Sequence, residues 1–153
     1  MLGKVLYRTA TEECAINNDI DTKNNIMEKQ FVPYEQALDL KELGFDEPCF
    51  GYFQENKIKV IIDNSGLITN SNFSKIFSED RFRLVTPLYQ QAFRWFRDKH
   101  SLQHEIVYDM SNDLTHNVYV YTVFGTDRSE EYKTYEEAEL DCLKKLIEIV
   151  KNK

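Results

Sequence analysis

Three segments of the chain begin with the same short pattern, a tyrosine, two acidic or amide residues and an alanine. The pattern starts at Tyr34, Tyr89 and Tyr135, and apolar residues then recur at the three- and four-residue spacing of one helical face. This spacing predicts three helices, over about residues 33–43, 87–99 and 135–151. An internal duplication is one explanation of the repeated pattern. We favour the simpler one, that these residue types suit the start of any amphipathic helix.

Start and stop signals flank the first two helices. Pro33 suits a first helical position because the N–H that it lacks would be unpaired there. Gly44 supplies the left-handed residue of a Schellman cap, after which Phe45 folds back on the helix. Thr86 is the expected N-cap of the second helix, with Pro87 as its first residue. Both helices are therefore bounded by local sequence.

The third helix has the clearest start, and the second carries the only tryptophan. Thr134 and Glu137 match the T-x-x-E capping box. The predicted buried stripe of the third helix is Ala138, Cys142, Leu143, Leu146, Ile147 and Val150. The predicted core residues of the second helix are Leu88, Ala92, Trp95 and Phe96. Trp95 is therefore assigned to packing.

Two pairs of strand-like segments lie between the helices, at residues 49–53 and 57–62 and at residues 105–108 and 117–124. Gly51 is predicted to mark a bulge or the close approach of a neighbouring helix. The last segment is apolar or aromatic on both faces, which indicates a central strand. We therefore predict a single α+β domain over residues 31–153, in which a mainly antiparallel sheet of four or five strands packs with the three helices.

Two polar segments lie outside this pattern. Residues 1–30 are predicted to form a polar N-terminal arm, with one edge strand near Lys4–Thr9 as an option. Residues 63–83 form a connection of a length that is usually functional or mobile. Three apolar residues are expected to hold part of that connection in place, namely Phe73, Ile76 and Phe77.

Composition narrows the class of protein. The chain of 153 residues is 42% hydrophobic and 29% charged, which is typical of a globular domain. No apolar run approaches the ~20 residues that span a bilayer, and no signal-peptide stretch is evident, so we predict a cytoplasmic protein and no membrane partner. Three widely spaced cysteines without a C-x-x-C pair indicate free thiols. The net charge of −7 repels polyphosphate, so nucleic acid is not an expected partner.

Few residues have the spacing of a catalytic or metal site. His100 and His104 are four apart, but the helix is expected to end near His100, so the pair predicts no metal site and no cofactor. Cys49 is the best candidate nucleophile, although the sequence places no base beside it. Helix, two strands and helix at the C-terminal end are similar in order to a double-stranded RNA-binding domain, whose closing helix begins with basic residues. Here that helix begins with Glu136 and Glu137, which would repel phosphate.

Candidate binding residues lie in two groups. Arg94, Arg97 and His100 form a local positive face, preceded in sequence by Arg81 and Arg83, to which an acidic surface can dock. The predicted binding residues are Arg94, Arg97, His100, His104 and Tyr52. The second candidate is an exposed aromatic sheet face that comprises Phe50, Tyr52, Tyr119 and Tyr121. For both groups, solvated charge and core packing are the alternatives.

Three blocks of the sequence are distinctive as a set. They are FVPYEQALDLKELGFDEPCFGYF at Phe31–Phe53, TPLYQQAFRWFRDKH at Thr86–His100 and YEEAELDCLKKLIEIVK at Tyr135–Lys151. Together they resemble a family of small proteins encoded by phages, prophages and other mobile elements of gut bacteria. The resemblance implies a mobile-element setting, where small accessory proteins often act by binding. It implies no activity, cofactor or catalytic residue.

The sequence leaves three functional hypotheses. The first is a non-catalytic phage or prophage accessory module that binds a protein partner or self-associates. The second is nucleic-acid binding through the basic Arg81–His100 region. The third is a small enzyme that uses Cys49 or the histidines. The first follows best from the acidic charge, the twenty aromatic residues and the lack of catalytic motifs.

Overall fold

The fold combines helices with short antiparallel strands. The structure, a computed structural model, describes residues 28–54, 57–60, 67–72, 84–110 and 118–153. The elements wholly within these residues are three helices and five strands, and they lie in the unit Phe31–Lys153. In chain order they are α1 (Tyr34–Glu42), β1 (Gly51–Gln54), β2 (Lys57–Val60), β3 (Val85–Thr86), α2 (Tyr89–His100), β4 (His104–Asp109), β5 (Val118–Val123) and α3 (Tyr135–Lys151).

The α+β prediction is confirmed, but the strands divide between two antiparallel sheets where one was predicted. One sheet has the order β2-β1-β3, and the other consists of β4 and β5. In the first, Gly51 lies opposite Val60 on one side and Thr86 on the other. Among the described residues β3 is only two residues long, because Pro87 ends its pairing and α2 begins at once. Along the chain, the strands of the first sheet therefore all precede α2, and those of the second sheet follow it.

The C-terminal end of α1 has the predicted Schellman cap. Gly44 adopts a left-handed φ of 88°. The backbone N–H of Phe45 donates to the carbonyl of Leu40 at 2.9 Å, and that of Gly44 donates to Lys41 at 3.0 Å. At the other end, Pro33 is the N-cap and not the first helical residue. The stop signal is therefore confirmed in full and the start is displaced by one residue.

The start of α2 differs from the prediction. Thr86 is not the N-cap, because it is fully buried in β3 and its hydroxyl donates to the backbone carbonyl of Val32 at 2.6 Å. Leu88 takes the N-cap position, and its N–H donates to the side-chain oxygen of Gln91 at 3.1 Å. A buried hydroxyl needs a hydrogen-bond partner, and strand pairing carries Thr86 away from the helix end.

The start of α3 agrees with the prediction. The hydroxyl of Thr134 accepts from the N–H of Glu137, and the Glu137 carboxylate accepts from the N–H of Thr134, both at 3.2 Å. At the other end of the helix, Lys151 forms an ion pair with Asp39 of α1. The buried residues of α3 are Ala138, Cys142, Leu143, Leu146 and Ile147, whereas Val150 is partly buried.

The core includes the buried face of α3, which packs against β4, β5, α1 and α2, together with buried residues of both sheets. Trp95 is 6% exposed and its ring contacts Phe45 at 5.5 Å and Phe96 at 5.0 Å, so its assignment to packing is confirmed. Of the other core residues predicted for α2, Ala92 and Phe96 are buried and Leu88 is partly buried.

Gly51 lies in a continuous register and not at a bulge. A Cβ atom on this residue would lie 2.6 Å from Cε1 of Phe31 and 3.0 Å from Cγ2 of Thr86. The close approach is therefore confirmed, but the neighbour is the Phe31 side chain and not a helix.

Parts of two predicted segments lie outside the described residues. These are the arm over residues 1–27, and the three apolar anchors Phe73, Ile76 and Phe77. Within 67–72, Ile68 pairs with Cys49, and the amide of Asn70 both donates to Phe45 (2.9 Å) and accepts from Val85 (3.3 Å). Asn70 therefore joins this stretch to the end of α1 and to β3.

Candidate functional site

The five predicted binding residues lie on three elements. Arg94, Arg97 and His100 are on α2, His104 begins β4, and Tyr52 is in β1 of the other sheet. Arg94 is exposed and the other four are partly buried. The imidazole of His100 contacts the Trp95 ring at 4.6 Å, and that of His104 contacts the Phe93 ring at 4.2 Å. Both histidines thus extend the aromatic packing around α2.

The surroundings of the two histidines lower the pKa of both side chains. Burial and the positive charge of Arg97 lower the pKa of His104, and burial with the charges of Lys153 and Lys99 lowers the pKa of His100. A ring nitrogen of each, Nδ1 of His104 and Nε2 of His100, is buried and has no hydrogen-bond partner among the residues that the structure describes. Within the described ranges, no group of three or more His, Cys, Asp or Glu residues is placed to hold a metal ion.

A small groove lies beside Arg94. Its volume is about 180 Å³, and it is lined by Glu47, Gln91, Arg94, Trp95, Asp98 and Lys99. The Gln91 amide donates to the carbonyl of Pro48 at 3.0 Å and so fixes one wall. Small-molecule sites usually have volumes of about 300–1,000 Å³. The groove is smaller than these, and its two basic residues are balanced by two acidic ones.

Cys49 lies in an environment that suppresses thiolate formation. Its side chain is fully buried, and its Sγ lies 3.3 Å from the carbonyl oxygen of Glu47, to which the thiol donates. Burial, with the charges of Glu47 and Asp46, raises the pKa of this thiol to about 12. Burial also raises the pKa of the Cys142 thiol to about 12. Both thiols are protonated at neutral pH and are poor nucleophiles there.

Three tyrosines form a contiguous aromatic surface where α3 begins. The register of β4 and β5 puts Tyr108 opposite Tyr119, with ring centroids 5.4 Å apart. Tyr119 also meets Tyr135, the first residue of α3, at 5.9 Å and nearly perpendicular. Tyr108 and Tyr135 are each 44% exposed. We call Tyr108, Tyr119 and Tyr135 the tyrosine surface.

Backbone pairing explains why α3 begins beside the sheet. Tyr119 and Tyr132 exchange two backbone hydrogen bonds of 2.8 Å, so the segment before α3 runs along β5 on the side away from β4. Ser129 adds a second attachment, since its N–H donates to the carbonyl of Tyr121 at 3.0 Å. The prediction that β5 is a central strand is wrong, because its sheet consists of β4 and β5 alone among the described residues, although the bridge from Tyr119 to Tyr132 covers part of its other edge.

A carboxylate fixes α3 over β5 next to the tyrosine surface. Oδ2 of Asp141 accepts hydrogen bonds from the hydroxyls of Tyr121 at 2.8 Å and Tyr132 at 2.7 Å. Burial and these interactions with Asp141 raise the pKa of Tyr132 to about 12, and they raise the pKa of Tyr121 as well. The Asp141 carboxylate is therefore already engaged in two hydrogen bonds, which hold α3 on the sheet.

The carboxylate of Glu139, by contrast, is not used to hold α3 on the sheet. It is partly buried, and in the described part of the chain its carboxylate has no hydrogen-bond or ion-pair partner. Burial and the nearby charge of Glu136 raise its pKa to about 7. Glu139 in turn raises the pKa of Tyr135 and of Tyr89, after the larger effect of burial. An uncompensated carboxylate therefore lies beside the tyrosine surface.

The aromatic face expected from the sequence was only partly correct. Phe50 and Tyr52 belong to the region of the first sheet, whereas Tyr119 and Tyr121 are in β5. Tyr121 is 6% exposed and points into the core. Sequence reasoning missed Tyr108 and Tyr135 as neighbours of Tyr119. Alternation in β4 and β5 was visible, but the pairing register that joins the three rings was not.

Comparisons with protein-family models, curated proteins and solved structures find no match to this chain. The resemblance to a family of phage and prophage proteins therefore stays an expectation. No helix in the ranges that the structure describes is long and apolar enough to cross a bilayer.

Proposed function

We propose that the chain is a non-catalytic accessory module that binds a protein partner through the tyrosine surface. The carrying observation is that Tyr108, Tyr119 and Tyr135 are joined by ring contacts while two of them remain 44% exposed. Tyrosine is enriched at protein interfaces because its ring offers apolar area and its hydroxyl can stay hydrated or form a hydrogen bond.

Rigidity supports this choice of surface. Each ring rests against the next, and the strand pairing and the Asp141 hydrogen bonds hold the elements that carry them. A partner would therefore meet side chains that are already ordered, which lowers the entropic cost of binding. The groove beside Arg94 offers less aromatic surface to a partner, because the ring that lines it, Trp95, is 6% exposed.

The setting that we propose is the one implied by the sequence resemblance, a cytoplasmic accessory protein of a phage or prophage. Small proteins of this kind often act by occupying a surface on another protein. The partner itself has to be identified by experiment.

The test compares three proteins, the wild type, a Tyr108→Ser/Tyr135→Ser double variant and a Tyr34→Ser control. Tyr34 lies on α1, is 37% exposed and contacts the Phe53 ring at 5.1 Å, so it matches the other two in exposure and ring contact. Each is used to isolate partners from host lysate, with light scattering to detect self-association.

We expect a specific partner to be retained by the wild type and by the control and lost by the double variant. Circular dichroism and thermal unfolding must show that the double variant is folded. Equal retention by all three proteins would place binding elsewhere, and a monomer that retains nothing would contradict the proposal.

A further inference from the structure

We infer that the tyrosine surface accepts a basic, arginine-containing segment of the partner, whose guanidinium groups stack on Tyr108 or Tyr135 and pair with Glu139. This inference rests on the proposed function and specifies the partner's chemistry. It is carried by the placement of an uncompensated carboxylate next to exposed tyrosine rings.

The spacing on α3 puts the necessary groups on one face. Tyr135 and Glu139 are four residues apart, and Glu136 and Glu139 are three apart, so each pair consists of neighbours on the helix surface. The effect of Glu139 on the pKa of Tyr135 agrees with this proximity. A cation bound over the Tyr135 ring would therefore lie within reach of the Glu139 carboxylate.

Three other acidic groups near the tyrosine surface already have partners. Glu137 is used in the capping box and Asp141 by the hydroxyls of Tyr121 and Tyr132, while Asp109 pairs with Arg128. Glu136 and Glu139 are left without a counterion in the described part of the chain, and the first basic residue of α3 is Lys144. Two like charges at neighbouring positions, one of them partly buried, raise the free energy of the unbound protein.

A guanidinium suits this arrangement better than other groups. It stacks on aromatic rings and forms two parallel hydrogen bonds to a carboxylate. The net charge of −7 would also steer a basic segment toward the protein. A second copy carries the same acidic surface, and a polyphosphate is repelled, so neither complements the site. An arginine-containing segment is the occupant that removes the uncompensated charge.

The experiment is a selection from a random peptide library at about pH 8, where Glu139 is ionised because its pKa is about 7. Selected peptides are then measured by isothermal titration calorimetry or fluorescence anisotropy against wild type, Glu139→Gln and Glu35→Gln. Glu35 is exposed in the first turn of α1, so its substitution changes the net charge equally but leaves the tyrosine surface intact.

We expect peptides rich in arginine, with affinity reduced about ten-fold by Glu139→Gln and by less than two-fold by Glu35→Gln, since a charge-assisted hydrogen bond is lost only in the first. Replacing arginine by lysine in the peptide should also weaken binding, because lysine stacks less well.

Three results overturn the inference, and they separate it from the proposed function. Neutral or acidic peptides that bind the wild type but not Tyr108→Ser/Tyr135→Ser would refute the basic partner and keep the binding surface. Equal weakening by the two glutamine variants would show attraction by net charge alone. Peptides that bind the double tyrosine variant as well as the wild type would refute both proposals.

Discussion

Replacing Gly51 by alanine tests the packing of the first sheet directly. The new methyl group would lie 2.6 Å from Cε1 and 2.8 Å from Cδ1 of Phe31, and 3.0 Å from Cγ2 of Thr86. Carbon atoms in good contact are about 3.5–4.0 Å apart, so the Phe31 ring must move by about 1 Å. Phe31 is 5% exposed and Thr86 is fully buried, so neither can swing into solvent.

The expected cost follows from overpacking. Inserting a methylene into a filled core costs about 1–3 kcal/mol, and the reduced backbone freedom of alanine in the unfolded chain returns about 0.5–1 kcal/mol. The free energy of unfolding should therefore fall by about 1–2 kcal/mol. For a chain of this size the melting temperature should fall by about 2–8 °C.

Urea unfolding followed by fluorescence of the only tryptophan, which is buried, measures this cost. Phe31→Leu should relieve the clash, so the double variant with Gly51→Ala should be at least about 0.5 kcal/mol more stable than the sum of the single changes predicts. Gly44→Ala is the control. It has a φ of 88° and nothing within 4 Å of its Cβ position, so it should cost about 1 kcal/mol through the backbone and show no coupling to Phe31→Leu.

The reasoning is refuted if Gly51→Ala leaves stability unchanged or raises it. Equal coupling of Phe31→Leu to both alanine variants would also refute it, because the clash is confined to Gly51.

Three further predictions concern α3 and β4. Asp141→Ala should lower the free energy of unfolding by about 2–3 kcal/mol in urea titrations, because it leaves the hydroxyls of Tyr121 and Tyr132 without their acceptor, and a loss below about 0.5 kcal/mol would contradict this. The folded-state pKa of Glu139 is raised from 4.5 to about 7, so its contribution to stability is present below pH 4.5 and is lost as pH rises through 7. The free energy of unfolding lost in this way would be about 3 kcal/mol in a dry site, and the partial exposure of Glu139 reduces it to about 1–2 kcal/mol. Glu139→Gln should flatten the dependence of stability on pH over that range. The folded-state pKa of His104 is lowered, chiefly by burial, so its neutral form stabilises the fold above pH 6.5 and this stabilisation is lost as pH falls. His104→Gln should therefore reduce the slope of stability against pH in that range.

Local signals predicted the three helices, the end of α1 and the start of α3. The Schellman cap at Gly44 and the capping box of Thr134 and Glu137 depend on residues within five positions of one another, and both were predictable from the sequence. The assignment of Trp95 to the core also followed from helical spacing. The misplaced N-cap at Thr86 shows the limit of such signals, since its hydroxyl donates to the backbone carbonyl of Val32, 54 residues away.

The candidate site was less predictable. The sequence singled out Tyr119 as part of an aromatic face, but its neighbours Tyr108 and Tyr135 come from β4 and α3. The partial burial and missing counterion of Glu139 were also invisible, because its surroundings depend on how α3 lies on the sheet. The sequence instead pointed to the basic residues of α2, of which Arg94 lines a groove of balanced charge.

By itself the sequence determined an acidic α+β chain with three amphipathic helices, the stop of α1 and the start of α3, because those features depend on the order of neighbouring residues. Only the tertiary structure decided that the strands form two sheets, that Phe31 fills the space above Gly51, and that three tyrosines share one surface beside Glu139. Each of these depends on strand register and helix placement, which bring together residues far apart in the chain, and the local pattern does not specify such pairings.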